Sequence, residues 1–102
     1  MHLERTEDAE AAFRSEISAF PRDPRAYLSL ATLYQSTKPE EVESVLDDLI
    51  EAVPTPEVYG LVAMALTNAG NAKRADAIRA DARVRFRDDP SLARGLARGA
   101  RR

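Results

Sequence analysis

The sequence predicts an all-α protein of antiparallel helices joined by short connections. Three observations predict it. Apolar residues recur at three- and four-residue spacing through five successive segments, the pattern of a helix with one face turned inward. Prolines at positions 21, 24, 39, 54 and 56 punctuate those segments, ending one helix or opening the next. No stretch alternates apolar and polar residues as a half-buried strand does. Abundant alanine and sparse glycine add to the helical bias.

The elements follow in order. Ala9, Ala12, Phe13, Ile17 and Phe20 form the apolar face of a first helix. Thr6 is placed to cap it, and Glu7 and Asp8 fall in the first turn, where the helix dipole favours acids. Residues 1–5 read as a disordered N-terminus, and Pro21 and Pro24 stop the helix. A second helix opens at Pro24 with Asp23 as its cap. It carries Tyr27, Leu30, Ala31, Leu33 and Tyr34, and Ser36-Thr37-Lys38-Pro39 breaks it. The third is the clearest amphipath: Val42, Val45, Leu46, Leu49, Ile50 and Val53 make one stripe, and acids cover the rest. Pro39 suits its first helical position.

A fourth helix spans roughly Pro56 to Ala69 and closes at Gly70, a left-handed C-cap. The fifth runs from about Asn71 to Phe86, with Ala72, Ala75, Ile78, Ala82 and Phe86 inward. Asp89-Pro90 opens a short sixth helix whose large apolar residues are Leu92 and Leu96. Residues 6–98 thus read as a single helical repeat domain, and residues 99–102 as a basic tail. The length of 102 residues suits one core.

Two of these helices match each other. Aligning Pro24 with Pro56 sets Tyr27 against Tyr59, Leu30 against Val62, Ala31 against Ala63 and Tyr34 against Leu66. An aromatic, a leucine-like residue, a small residue and another large one, at this spacing, resemble the first helix of a tetratricopeptide repeat. Ala75, Arg79 (through its aliphatic stem) and Ala82 fit the second helix, and Ala9 and Phe13 fit that of a preceding repeat. Pro21 and Pro54 fall at the proline that ends each repeat. The resemblance spans about residues 7–90 and implies a solenoid of antiparallel helix pairs, five main helices and a short C-terminal one. Alanines let paired helices approach closely, while Tyr27 and Tyr59 fill the space between repeats. Departures are visible. The period is 32 residues instead of about 34, Val42 and Leu49 replace small residues, and Arg87 replaces a proline. They put the superhelical curvature in question.

Catalytic chemistry finds little support. The chain has no cysteine, which excludes thiolate chemistry, and its single histidine, His2, reads as part of a disordered terminus more readily than as a base or a ligand. The glycines are isolated and form no phosphate loop. Glu40-Glu41 and Asp47-Asp48 are adjacent acids that point apart on a helix, and Asp88-Asp89 reads as a loop and cap. The sequence therefore predicts no enzyme, no cofactor and no metal. No segment approaches the roughly 20 apolar residues of a membrane span. The acidic, polar start lacks the basic and apolar regions of a secretory signal, which points to the cytoplasm.

What remains is binding of a protein or peptide. The resemblance implies a groove lined by the first helix of each repeat. It would present Arg25, Leu28, Ser29, Thr32 and Gln35 from one repeat and Glu57, Leu61, Met64 and Asn68 from the next. Leu28 and Thr32 stand where some members carry a lysine and asparagine for a terminal carboxylate, so that mode is unsupported. Residues 58–66 are apolar or glycine throughout. Either neighbours enclose this helix, or Leu61 and Met64 lie open for an apolar partner.

Charge is uneven: residues 1–60 hold 13 acids and 5 bases, residues 61–102 hold 4 acids and 10 bases. On the arginine-rich side Asp76 and Asp81 are spaced to pair with Arg79 and Arg85, so a solvated face is favoured over a nucleic-acid site. The alternative function is a self-associating scaffold, a weak homo-oligomer joined through Phe13, Ile17 and Phe20 and steered by the opposed charges.

Overall fold

The structure, a computed structural model, describes residues 3–87. Every regular element among them is helical: α1 (Leu3–Ala19), α2 (Pro24–Thr37), a 3₁₀ turn (Pro39–Glu41), α3 (Val42–Ala52), α4 (Pro56–Asn68) and α5 (Ala72–Arg85). The five expected helices are present. His2, Asp88-Asp89, the sixth helix with Leu92 and Leu96, and the basic tail lie outside the described residues. The chain divides into two compact units between Val53 and Pro54.

Local chemistry sets most of the helix ends. Asp23 accepts from the Arg25 backbone N–H at 3.0 Å, and Pro24 holds the first helical position of α2. The same carboxylate takes the Arg25 guanidinium at 2.6 Å. That pair, with the cap bond second, lowers the Asp23 pKa to about 2. Thr55 Oγ1 accepts from Val58 N–H and Asn71 Oδ1 from Arg74 N–H, both at 3.2 Å, which caps α4 and α5. Gly70 ends α4 at φ +85°. The Gly70 N–H bonds Thr67 O and the Asn71 N–H bonds Leu66 O, the paired bonds of a Schellman cap. A β-carbon at Gly70 would strain the backbone even though the space is open.

Three local expectations need correction. α1 begins at Leu3, so Thr6 lies inside the helix and does not cap it. Pro39 opens a 3₁₀ turn, with Glu40 and Glu41 inside it, and α3 starts only at Val42. Ala72 is exposed instead of inward, because it stands in the first turn of α5, ahead of the buried Ala75, Ile78 and Ala82.

In the first unit α2 packs against α1 on one side and α3 on the other, and α1 and α3 do not pack on one another. Tyr34, near the end of α2, reaches Glu10 in the first half of α1, so this pair runs antiparallel. The core consists of Ala26, Tyr27, Leu30, Ala31 and Tyr34 from α2 and Val42, Val45, Leu46 and Leu49 from α3. α1 adds only half-buried side chains, among them Ala9, Phe13 and Ile17, and Ala12 is exposed.

In the second unit α4 and α5 form a hairpin. Tyr59 meets Phe86 edge to face at 5.2 Å, and Arg79 Nη2 reaches Thr67 Oγ1 at 3.4 Å. These links join opposite ends of the two helices and make them antiparallel. Ala63, Ala75 and Ala82 are fully buried, and their small side chains let α4 and α5 close to short range.

Replacing Ala63 with leucine would force extra methylenes into a packed site. The expected cost is about 1–3 kcal/mol, read as a lower urea midpoint with an unchanged slope. An unchanged midpoint would mean that this contact has slack.

Candidate functional site

A four-residue polar cluster fixes α1 on α2. Tyr34 Oη donates to Glu10 Oε2 at 2.5 Å and accepts from Arg14 Nη2 at 2.8 Å. Lys38 Nζ lies 3.4 Å from Glu10 Oε1. The Arg14 and Lys38 cations also sit 5.9 and 5.8 Å from the Tyr34 ring centre, within cation–π range. The Tyr34 hydroxyl, helped by Lys38 and Arg14, holds the Glu10 carboxyl below its ordinary pKa. Burial, and then the bond it donates to Glu10, pushes the Tyr34 hydroxyl up.

That cluster also places a wall of a groove. Since α1 and α3 flank α2 without packing on one another, a cavity of about 360 Å³ opens between them over α2. Tyr27 and Leu30 form its floor. Arg14 and Ile17 line the α1 side, and Val45, Asp48, Glu51 and Ala52 line the α3 side. Tyr27 is held in place by its hydroxyl, which donates to Pro21 O at 2.7 Å. Burial raises the Tyr27 pKa, and the Asp48 charge raises it further, so that carboxylate is felt at the floor.

The groove therefore offers apolar surface below and acids along one rim. The one cation among the described residues that line it, Arg14, is already bonded to Tyr34. Among the described residues no ion pair engages Asp48 or Glu51, and no group of three His, Cys, Asp or Glu side chains is disposed to hold a metal. Chemically the arrangement can take up apolar side chains and a cation.

The residues expected to line a groove sit elsewhere. Arg25, Ser29, Thr32 and Gln35 are exposed and Leu28 is half-buried, on the face of α2 opposite Tyr27 and Leu30. Thr32 Oγ1 is turned back onto Leu28 O at 3.0 Å. In the second unit Glu57 and Asn68 are exposed, and Leu61 and Met64 are half-buried. These four share the most open face of α4, whose buried residues cover more than half of its circumference. α4 thus has one enclosed face and one less covered face that carries Leu61 and Met64.

Of the three α1 residues expected to self-associate, Phe13 and Ile17 are half-buried and Phe20 is 57% exposed. Ile17 alone also lines the cavity. The other cavity residues were missed as site residues. Their signal was Asp48 and Glu51, one turn apart beside the Val45 stripe, but acids on that helix read as solvated surface.

The expected pairs on α5 are present. Arg79 Nη1 lies 3.2 Å from Asp76, and Arg85 Nε lies 3.5 Å from Asp81. Arg85 also stands 5.9 Å over the Tyr59 ring.

Fold and site together describe a small all-helical protein with an acidic-rimmed apolar groove in its first unit. No helix among the described residues is long and apolar enough to cross a membrane. No protein-family model, no curated protein and no solved structure matches the chain.

Tyr34→Phe removes the hydroxyl that joins Arg14 to Glu10. Unfolding in urea at neutral pH should lose about 1.5–3 kcal/mol, the range for a hydrogen bond to a charged group. Glu10 is depressed in the folded state. Its contribution to stability is complete above the unfolded value near 4.5 and fades as pH falls through the lower folded one. In the variant the Glu10 carboxyl should titrate higher by NMR, and the acid-side loss should shrink. An unmoved Glu10 titration would contradict the assignment.

Proposed function

We propose that this protein is a non-catalytic interaction module that holds an extended peptide or a segment of a partner protein in a groove between helices. The carrying observation is the cavity over α2, with Tyr27 and Leu30 beneath, Val45 on the α3 side and Asp48 and Glu51 at the edge. Its volume of about 360 Å³ falls at the small end of binding pockets and suits a few side chains of a longer ligand. The ligand class follows from the walls: apolar side chains for the floor and a lysine or arginine for the rim.

A non-catalytic role is supported by what the groove holds. Among the described residues that line it, the acids are exposed on α3 and the arginine is engaged by Tyr34, an arrangement suited to binding. The tetratricopeptide resemblance supports the same role. Antiparallel helix hairpins and buried alanines at positions 31, 63, 75 and 82 suit tightly paired helices of that kind. We place the binding site in the α1–α3 groove in preference to the exposed faces of α2 and α4, because the groove combines concavity with an apolar floor.

Peptides selected by display against the full chain should be enriched in an apolar residue near a basic one. On isotope-labelled protein they should shift the resonances of Ile17, Tyr27, Val45 and Ala52 and leave Ser29 and Thr32 unmoved. Shifts confined to Arg25, Ser29 and Thr32 would move the site to the other face of α2. Failure to select any binder at millimolar affinity would overturn the proposal.

A further inference from the structure

We infer that the groove's partner is the arginine-rich segment 91–102 of a second copy of this chain, so that copies join groove to segment. This rests on the proposal that the groove is a peptide site and names the ligand. Three observations carry it. The α3 rim presents Asp48 and Glu51, both exposed and three residues apart on one helix, which brings their side chains within one turn of each other. Neither is engaged in an ion pair among the described residues. Beneath them the floor is apolar.

The complementary pattern exists in the same sequence. Residues 91–102 read Ser-Leu-Ala-Arg-Gly-Leu-Ala-Arg-Gly-Ala-Arg-Arg. They contain no acid, and Leu92 and Leu96 alternate with Arg94 and Arg98. Leucines are what the apolar floor accepts, and arginines are what the acidic rim accepts. Arginine suits this role, since its planar fork bonds carboxylates in pairs.

Charge at long range favours the pairing between copies. Residues 1–60 carry an excess of acids and residues 61–102 an excess of bases. The acidic first part of one copy therefore attracts the basic last part of another. A contact between two different surfaces need not close on itself, so association is expected to grow with concentration.

Charge exchange tests this on the full chain. Wild type should show a sedimentation coefficient that rises with concentration at low ionic strength and less at high, as screening demands. The groove variant D48R/E51R and the tail variant R94E/R98E should each associate about tenfold more weakly on its own. Mixed together they should associate again, because the reversed rim meets the reversed tail. Circular dichroism should show unchanged helicity in the groove variant, both of whose sites are exposed. A labelled peptide of residues 88–102 is the second arm: it should bind the wild-type chain and bind D48N/E51Q about tenfold more weakly.

Wild type that stays monomeric at millimolar concentration in low salt would overturn the inference. So would variants that associate like wild type, or a mixture with no recovery. If selected peptides still occupy the groove in that case, the partner assignment falls and the groove reading stands.

Discussion

The first unit depends on one helix carrying two neighbours. α2 supplies Tyr27, Leu30, Ala31 and Tyr34 to the core, and both α1 and α3 pack against it. Leu30, Leu46 and Leu49 have no exposed surface, and each such burial is worth about 1.5–3 kcal/mol. That apolar contact makes the α2–α3 seam the stronger one. α1 has no fully buried described side chain, so it is held by a mixed seam in which the Glu10–Tyr34–Arg14 cluster matters. The groove follows from the same constraint, since two helices that share a support without touching leave a channel over it. Groove and fold are in this sense one feature.

The two seams respond to different conditions. The α2–α3 seam is apolar and weakens only as hydrophobic burial weakens. The α1–α2 seam contains Glu10, Arg14 and Lys38, all partly exposed, and so it feels both acid and salt. Arg14 belongs to that seam and to the groove wall at once. Conditions that loosen α1 therefore also reshape the site.

Helices and caps were legible in the sequence because their causes are local. Asp23 before Pro24, and Gly70 after an apolar run, announce their roles by residue type. The alanines at 31, 63, 75 and 82 were legible as close contacts because helical spacing puts them in line with large apolar neighbours. Local cues failed where a later turn decided the matter. Thr6 had the chemistry of a cap, but the helix began upstream, and Pro39 opened a tighter turn before α3. The groove was less legible still. Tyr27, Leu30 and Val45 were read as core, which they are, but a channel over them requires knowing that α1 and α3 stay apart. No spacing within a single helix carries that information. The faces of α2 and α4 singled out by resemblance are exposed or half-buried on their own helices, and Ile17 was the one expected contact residue that also borders the cavity.

The account stands on α2 as the support of the first unit. Native-state hydrogen exchange of the full chain tests this directly, because it ranks local opening helix by helix. The account predicts slowest exchange in that unit for the α2 amides around Leu30, Ala31 and Tyr34. The α3 amides around Leu46 and Leu49 should come next, and α1 should be clearly the fastest. Protection in α1 equal to or greater than that in α2 would contradict it, because α1 would then be a primary element of the unit instead of a wall laid against α2.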